Sequence, residues 1–268
     1  MSLLSPEKLN IHLAPGIALV ARTQRSAIIQ SDARAVAADA QFGWQPVIEA
    51  LSDILSGYAD MPAMANVTLS SRLAPVVAMP WREDVTTPES QALLSALRLA
   101  RSHGGSAADW DCIAADNGYG QTWLASGARH EFMVALKSAL GAARIRPALI
   151  APLAVDLFNA YAASLSARGA TWLLVPESDR LTVWYCRGRV PQECLSLPLP
   201  ENAESVPALL RREALLRGLP DQAAARLVIA SQRSGALAEP GVQRLLPRWR
   251  CAPGVTVAYP LHWLGSAR

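Results

Sequence analysis

The chain has 268 residues, 51% apolar and 18% charged, with a net charge of +3. That length suits one large domain or two of ordinary size, either able to bury a full core, and the net charge is too small to suggest nucleic acid by itself, so no nucleic-acid partner is expected. No stretch reaches the ~18 consecutive apolar residues of a membrane span, and "MSLLSPEKLNIHL" has no basic segment followed by the apolar run of a secretory signal.

In chain order, three short strands rich in Ile, Val and Leu are predicted first, at 9–13, 16–22 and 26–32, with Pro15-Gly16 turning the first into the second. "GWQPVIEALSDILSGYAD" carries Val47, Leu51, Ile54 and Leu55 at helical spacing and ends near Gly57. "NVTLSSRLAPVVAMPW" returns to strand. Thr87 is the predicted N-cap of the next helix, with Pro88 in its first turn, where the missing N–H costs nothing. Leu93, Leu94, Leu97 and Ala100 are its predicted apolar face. "WDCIAADNGYGQTWLASG" reads as a hairpin turning at Asn117-Gly118. A helix follows with Phe132, Leu136 and Leu140 on one stripe beside Met133. Then come the strand "RPALIAP", the helix "LAVDLFNAYAASL" and three strands from Thr171 to Leu199. The tail alternates: a helix at 203–217, a strand at 226–231, a helix in "PGVQRLLPRW" and a strand at 254–259.

Sites are sparse. Cys112, Cys186, Cys194 and Cys251 form no CxxC pair, which argues against a zinc centre or disulfide framework and for a reducing compartment. His12, His103, His130 and His262 show no ligand spacing, so no metal is expected. Only Lys8 and Lys137 are lysines, leaving 23 arginines among the 25 basic residues. Neither lysine completes a phosphate-binding GxxxxGK[ST] loop. "SHGGS" (102–106) has the look of an oxyanion loop, but no GxSxG nucleophile accompanies it. The pair Asp109 and Asp111 reads as a loop cap. Trp123, Trp172 and Trp184 fall on predicted strands and are expected in the core.

Three strands, a helix, then strands and helices, followed by three strands again, is the element order of the actin-like ATPase fold. Residues 128–161, "ARHEFMVALKSALGAARIRPALIAPLAVDLFNAY", resemble the segment of the PilM family that leads into its second half. The resemblance extends to the cytoplasmic domain of the GspL family and covers nearly the whole chain. It implies an α/β, actin-like (ribonuclease H-like) architecture. The expected halves are 1–150, with a sub-domain inserted at about 66–140, and 151–268.

The resemblance also tells where nucleotide phosphates would be held: by two hairpin turns with an Asp-x-Gly sequence, glycine N–H groups facing phosphate and Asp ordering the Mg²⁺ shell. In the first turn of this chain His12 stands at the Asp position and Ala14 at the Gly position, with Pro15, which has no N–H, before Gly16. In the second, Val175 takes the Asp position, Glu177 brings negative charge to the phosphate side, and Asp179 lacks glycine donors around it. The late Gly-Gly of the family is reduced to Gly235. A pseudo-ATPase without cofactor is therefore expected. The function implied is that of a non-enzymatic cytoplasmic scaffold in a type IV pilus or type II secretion platform, held at the inner membrane through a partner. In PilM a cytoplasmic segment of a membrane protein docks in the first half, and in GspL the assembly ATPase binds; a homodimer is also compatible. The alternative is an actin-like ATPase or kinase relative with an atypical pocket. The chain closes on "HWLGSAR" without a span, as a stand-alone protein or the cytoplasmic part of a longer one would. Partner contacts are expected at Trp81, Arg82, Trp110 and Tyr119, on loops of the inserted sub-domain.

Overall fold

A computed structural model describes residues 8–24, 27–36, 43–58, 64–115, 118–177, 180–198 and 206–219, and the backbone at 226–229, 242–244 and 250–251. Two compact units result: Met1–Asp156 with Pro247–Arg268, and Leu157–Leu246. The sequence reading divides the chain at 150–151.

The first unit is built on a six-stranded mixed sheet. β1 (Lys8–Ala14), β2 (Ile17–Gln24) and β3 (Ala27–Ala35) form an antiparallel meander. β4 (Met64–Leu69) and β8 (Arg146–Pro152) continue it parallel to β1, and β14 (Arg250–Cys251) closes the far edge beside β3. On one face, Leu9, Ile11 and Leu13 of β1 join Val67 and Leu69 of β4 in a core covered by α1 (Gln45–Ser56) and α3 (His130–Ala142). Those helices contribute Val47, Leu51 and Leu55, and Phe132, Leu136 and Leu140, the stripes expected from their spacing.

A separate three-stranded antiparallel sheet lies within the same unit, in the order β5 (Val76–Met79), β7 (Trp123–Arg129), β6 (Trp110–Ala115). α2 (Pro88–His103) packs on one of its faces, over β6 more than β7 and over β5 least. The start of α2 is the predicted one: Thr87 Oγ1 accepts from the Ser90 N–H, and Ser90 Oγ closes the reciprocal bond to the Thr87 N–H. Its buried face is the predicted one only in part: Leu94 and Ala100 pack against the apolar clusters under the helix. Ser95, Ala96 and Leu99 face the sheet, whereas Leu93 and Leu97 are 59% and 53% exposed. The expected hairpin is present, its ladder described as far as Ala115 and Leu124, and the Gln121 N–H donates to the Gly118 carbonyl within the turn region. Asn117 lies outside the described residues.

The second unit carries the five-stranded sheet β11 (Val190–Pro198), β10 (Arg180–Arg187), β9 (Ala170–Pro176), β12 (Arg226–Ile229), β13 (Val242–Arg244). α4 (Leu153–Tyr161) bridges the chain into this unit, and α5 (Val206–Leu216) lays Val206, Leu209, Leu210 and Ala214 against Trp172, Leu174, Val183 and Tyr185. Trp123, Trp172 and Trp184 are core residues, as expected. The helix expected in "PGVQRLLPRW" is corrected at Val242–Arg244, which pair as a strand parallel to β12. Sheet completion overrides the local pattern there, since three residues, Val242-Gln243-Arg244, are too few to carry a period of their own. Gly235 and the strand expected at 254–259 lie outside the described residues.

Candidate functional site

In the first of the two turns, β1 and β2 are joined by two residues, the ladder running through Ala14 and Ile17. Pro15 and Gly16 fill the corners, Gly16 at φ 92, a left-handed value glycine adopts without strain. Its carbonyl already accepts the Val36 N–H at 2.9 Å. A two-residue turn beginning with proline offers no row of free N–H groups to an anion.

His12, at the Asp position, projects from the β1 face opposite Leu9, Ile11 and Leu13. It is buried, and loss of water outweighs its hydrogen bonding to Thr68, so its pKa falls to about 3 and the ring is neutral at pH 7. Thr68 Oγ1 gives its hydrogen to the Ile11 carbonyl at 3.1 Å, so at 3.2 Å it accepts from a hydrogen on His12 Nδ1. One register step away, Asn66 donates to Asn10 Oδ1 at 3.4 Å and Asn10 donates to Thr23 Oγ1 at 3.3 Å. The hydroxyl of Thr23 continues to the Lys8 carbonyl at 3.2 Å. Side chains of β4, β1 and β2 thus bond one another across the sheet. Ser70 is the exception: its Oγ is buried and makes no hydrogen bond among the described residues, while its N–H donates to the Leu13 carbonyl.

In the second turn, Val175 is fully buried in β9. The Glu177 N–H donates to the Arg180 carbonyl at 2.7 Å, which closes the hairpin, and Thr182 Oγ1 donates to Glu177 Oε1 at 3.2 Å. The Glu177 N–H and carboxylate are therefore engaged within the hairpin. Asp179 lies outside the described residues.

Of the four residues expected at a partner surface, two meet. The rings of Trp81 and Tyr119 stand 4.7 Å apart, with Tyr119 85% exposed and Trp81 half-buried. Arg82 turns away to grip Asp84 bidentately, at 2.9 and 2.6 Å, and this hydrogen-bonded grip holds the Asp84 carboxyl below its usual range. Trp110 faces elsewhere. It is buried with Ala96 and Leu99, its Nε1–H donates to the Gly104 carbonyl at 3.3 Å, and the Arg129 guanidinium lies 4.5 Å over its ring.

That guanidinium organises the "SHGGS" loop. It donates to the His103 carbonyl at 3.2 Å and pairs with Asp109 at 3.5 Å. Asp109 in turn accepts the Ser106 N–H at 2.7 Å, chiefly for which its carboxyl titrates below the usual range. Asp111 pairs instead with His130 at 2.9 Å, so Asp109 and Asp111 are not an acid–base dyad. A Cβ on Gly105 would fall 2.1 Å from Arg129 Nη1. The loop is a packed helix end, and sequence spacing gave no sign of the arginine that holds it. Burial pushes the Cys112 and Cys186 thiols up to about 11 and about 12, away from thiolate chemistry. No three His, Cys, Asp or Glu side chains gather to hold a metal among the described residues.

No family model and no curated protein matches the chain. Solved structures do. The cytoplasmic domain of EpsL, an inner membrane component of the type II secretion system of Vibrio cholerae, superposes with a TM-score of 0.54 at 13% identity, covering 96% of this chain and 92% of that one. The PilM–PilN type IV pilus biogenesis complex gives 0.59 at 11% identity over 92% and 90%. A Bacteroides thetaiotaomicron protein with an actin-like ATPase fold and unknown function gives 0.57 at 9% identity over 89% and 90%. The fold is actin-like, and proteins of pilus and secretion assemblies share it. No helix among the described residues is long and apolar enough to cross a membrane.

Proposed function

We propose that this chain is a non-enzymatic scaffold on the cytoplasmic side of a bacterial inner-membrane pilus or secretion platform, binding a segment of a membrane partner or the assembly ATPase. One observation carries the non-enzymatic part. Neither turn offers a row of free N–H donors where phosphate would sit: Pro15 has no N–H, the Glu177 N–H bonds Arg180, and a neutral buried His12 stands where a carboxylate would order Mg²⁺. The similarity to EpsL and PilM supports the platform role. The Trp81–Tyr119 pair, on two neighbouring loops of the sub-domain with one ring 85% exposed, is the partner contact that the sub-domain offers.

A second reading, a nucleotide binder with an atypical pocket, has one observation in its favour: the buried, unbonded Ser70 hydroxyl beside Leu13. Calorimetry with Mg·ATP separates the two. The scaffold gives no binding heat; saturable micromolar binding, lost in Ser70→Ala, establishes the second reading. For the partner, tagged chain co-purified from detergent-solubilised inner membranes should retain pilus or secretion proteins. Trp81→Ala with Tyr119→Ala should lose them while the melting temperature falls by no more than a few degrees, about 2–4 °C for each kcal/mol lost. Retention of the same proteins by the double variant removes this surface from the proposal.

A further inference from the structure

α2 carries an exposed row at four-residue spacing: Glu89, Leu93, Leu97 and Arg101. The leucines are more than half exposed, although they are half of the face the sequence marks as apolar. Beneath them, β6 is an edge strand of its sheet among the described residues, and the residues from Cys112 to Ala115 include no lysine, proline or bulge of the kind that guards an edge. Ile113, on the sheet face away from α2, is 76% exposed.

We propose that this ridge and the free edge of β6 form a homodimer interface, in which α2 and β6 run antiparallel to those of a second copy across a two-fold axis. Three features select a second copy as occupant. The first is position. Leu94 shares a cluster with Met79 of β5, Val85 of the loop after it, Trp123 and Ala125 of β7 and Ala114 at the end of β6, whereas Ala100 shares one with Trp110 and Cys112 at the start and middle of β6. Leu93, Leu97 and Ala100 follow the i, i+4, i+7 spacing of one helical stripe, so the leucines lie on the β6 side of the helix, over the open edge. What fits there is a strand with apolar side chains beneath it and a helix above it. This chain has both.

The second feature is charge order. The ridge is acidic at its start, apolar in its middle and basic at its end. An antiparallel copy sets Glu89 against Arg101 of the other chain and Leu93 against Leu97, whereas a parallel copy would set like charges together. β6 behaves the same way: with Ile113 opposite itself, Asp111 faces Ala115 and no charges of one sign meet.

The third is that one axis serves both elements. α2 turns back through 104–109 into β6 and so runs antiparallel over it. Five residues of helix back from Ala100, at about 1.5 Å each, match roughly two residues of strand on from Trp110 and Cys112, at about 3.4 Å each. The midpoint of the ridge, Ser95, therefore stands over the middle of β6. The interface is self-complementary, as a two-fold contact must be, and it does not depend on the platform role proposed above.

Sedimentation equilibrium of the full chain tests it. Wild type should dimerise reversibly, and Leu97→Asp should abolish this with an unchanged melting temperature. Glu89→Arg and Arg101→Glu should each weaken the dimer about tenfold, since each creates two symmetry-related like-charge contacts. Combining the two should restore the wild-type constant, because the swap rebuilds both pairs. A monomer at all concentrations, a dimer indifferent to Leu97→Asp, or a double charge swap that stays as weak as the single variants overturns the proposal.

Discussion

Replacing His12 by glutamine should flatten the acid limb of this protein's stability, and the size of the effect follows from burial. In the unfolded chain His12 titrates near 6.5; in the fold its pKa is about 3, because the ring is out of water and its hydrogen bonding to Thr68 offsets only part of that loss. The unfolded state therefore binds a proton below pH 6.5 that the folded state refuses. Stability rises with pH wherever the unfolded state holds more protons, so the contribution of His12 is fully present above about 6.5, erodes as pH falls, and is exhausted near 3. Each unit of separation is worth about 1.36 kcal/mol, so by pH 5 the loss is about 2 kcal/mol. Urea unfolding of wild type and His12→Gln at pH 7 and pH 5 isolates it, since every other group titrates in both proteins. Glutamine keeps a donor for Thr68 and cannot titrate. Wild type should lose about 2 kcal/mol more than the variant between the two pH values. Equal losses would mean that the ring is hydrated in the fold and that the polar row across β2, β1 and β4 is open to solvent.

The aromatic residues of the sub-domain should separate cleanly. Trp110→Ala removes a buried indole, its hydrogen bond to Gly104 and its contact with Arg129, and should cost about 3 kcal/mol by chemical denaturation. Trp81→Ala, at a half-buried ring, should cost less than about 1 kcal/mol in the same assay. Gly105→Ala should destabilise by more than about 1 kcal/mol, because φ is 81° and the new Cβ would collide with Arg129 and Asp109; a neutral effect would show that the loop relaxes freely. Thr87→Ala should lower stability by about 1 kcal/mol through loss of the α2 cap, read as a shift in denaturation midpoint.

Much of the fold could be read from local pattern where one period dominates. Val47, Leu51 and Leu55 of α1, and Phe132, Leu136 and Leu140 of α3, each meet a single sheet face, so spacing alone marks the buried side. α2 defeated that logic. Its leucines point to more than one side: the sheet buries Ser95, Ala96 and Leu99, with Leu94 and Ala100 packed at the flanks, and leaves Leu93 and Leu97 exposed. Nothing local distinguishes a leucine that faces the core from one that waits at an edge. Val242–Arg244 failed for another reason: a three-residue strand exists through its neighbour β12, a contact that its own sequence does not encode. Of the site, the lost donors were legible, because proline cannot donate and valine cannot bind Mg²⁺. The partners were not. That Glu177 closes its own hairpin, that Thr68 holds His12 and that Arg129 holds the glycine loop are long-range or turn-geometry facts, and composition is silent on them.

The row on β1 also explains how a sheet can keep polar residues where a ligand site of this fold would be. An unpaired buried polar group costs about 1–3 kcal/mol, so side chains at such a position must either meet a ligand or meet one another. Here they meet one another: Asn66 with Asn10, Asn10 with Thr23, His12 with Thr68. The bonds between Asn10 and Asn66 and between His12 and Thr68 join register partners of β1 and β4, and Asn10 reaches diagonally to Thr23 of β2, so a one-residue slip of β1 would turn its apolar residues away from α1 and α3 while stranding the polar ones. The same side chains that answer one another's hydrogen bonds therefore fix the register of the central sheet. A carboxylate at position 12 would undo this, because with Thr68 Oγ1 bound to the Ile11 carbonyl it would stand buried beside a hydroxyl already donating elsewhere. In this sheet a neutral histidine is the stable choice and an acid would need a cation to accompany it.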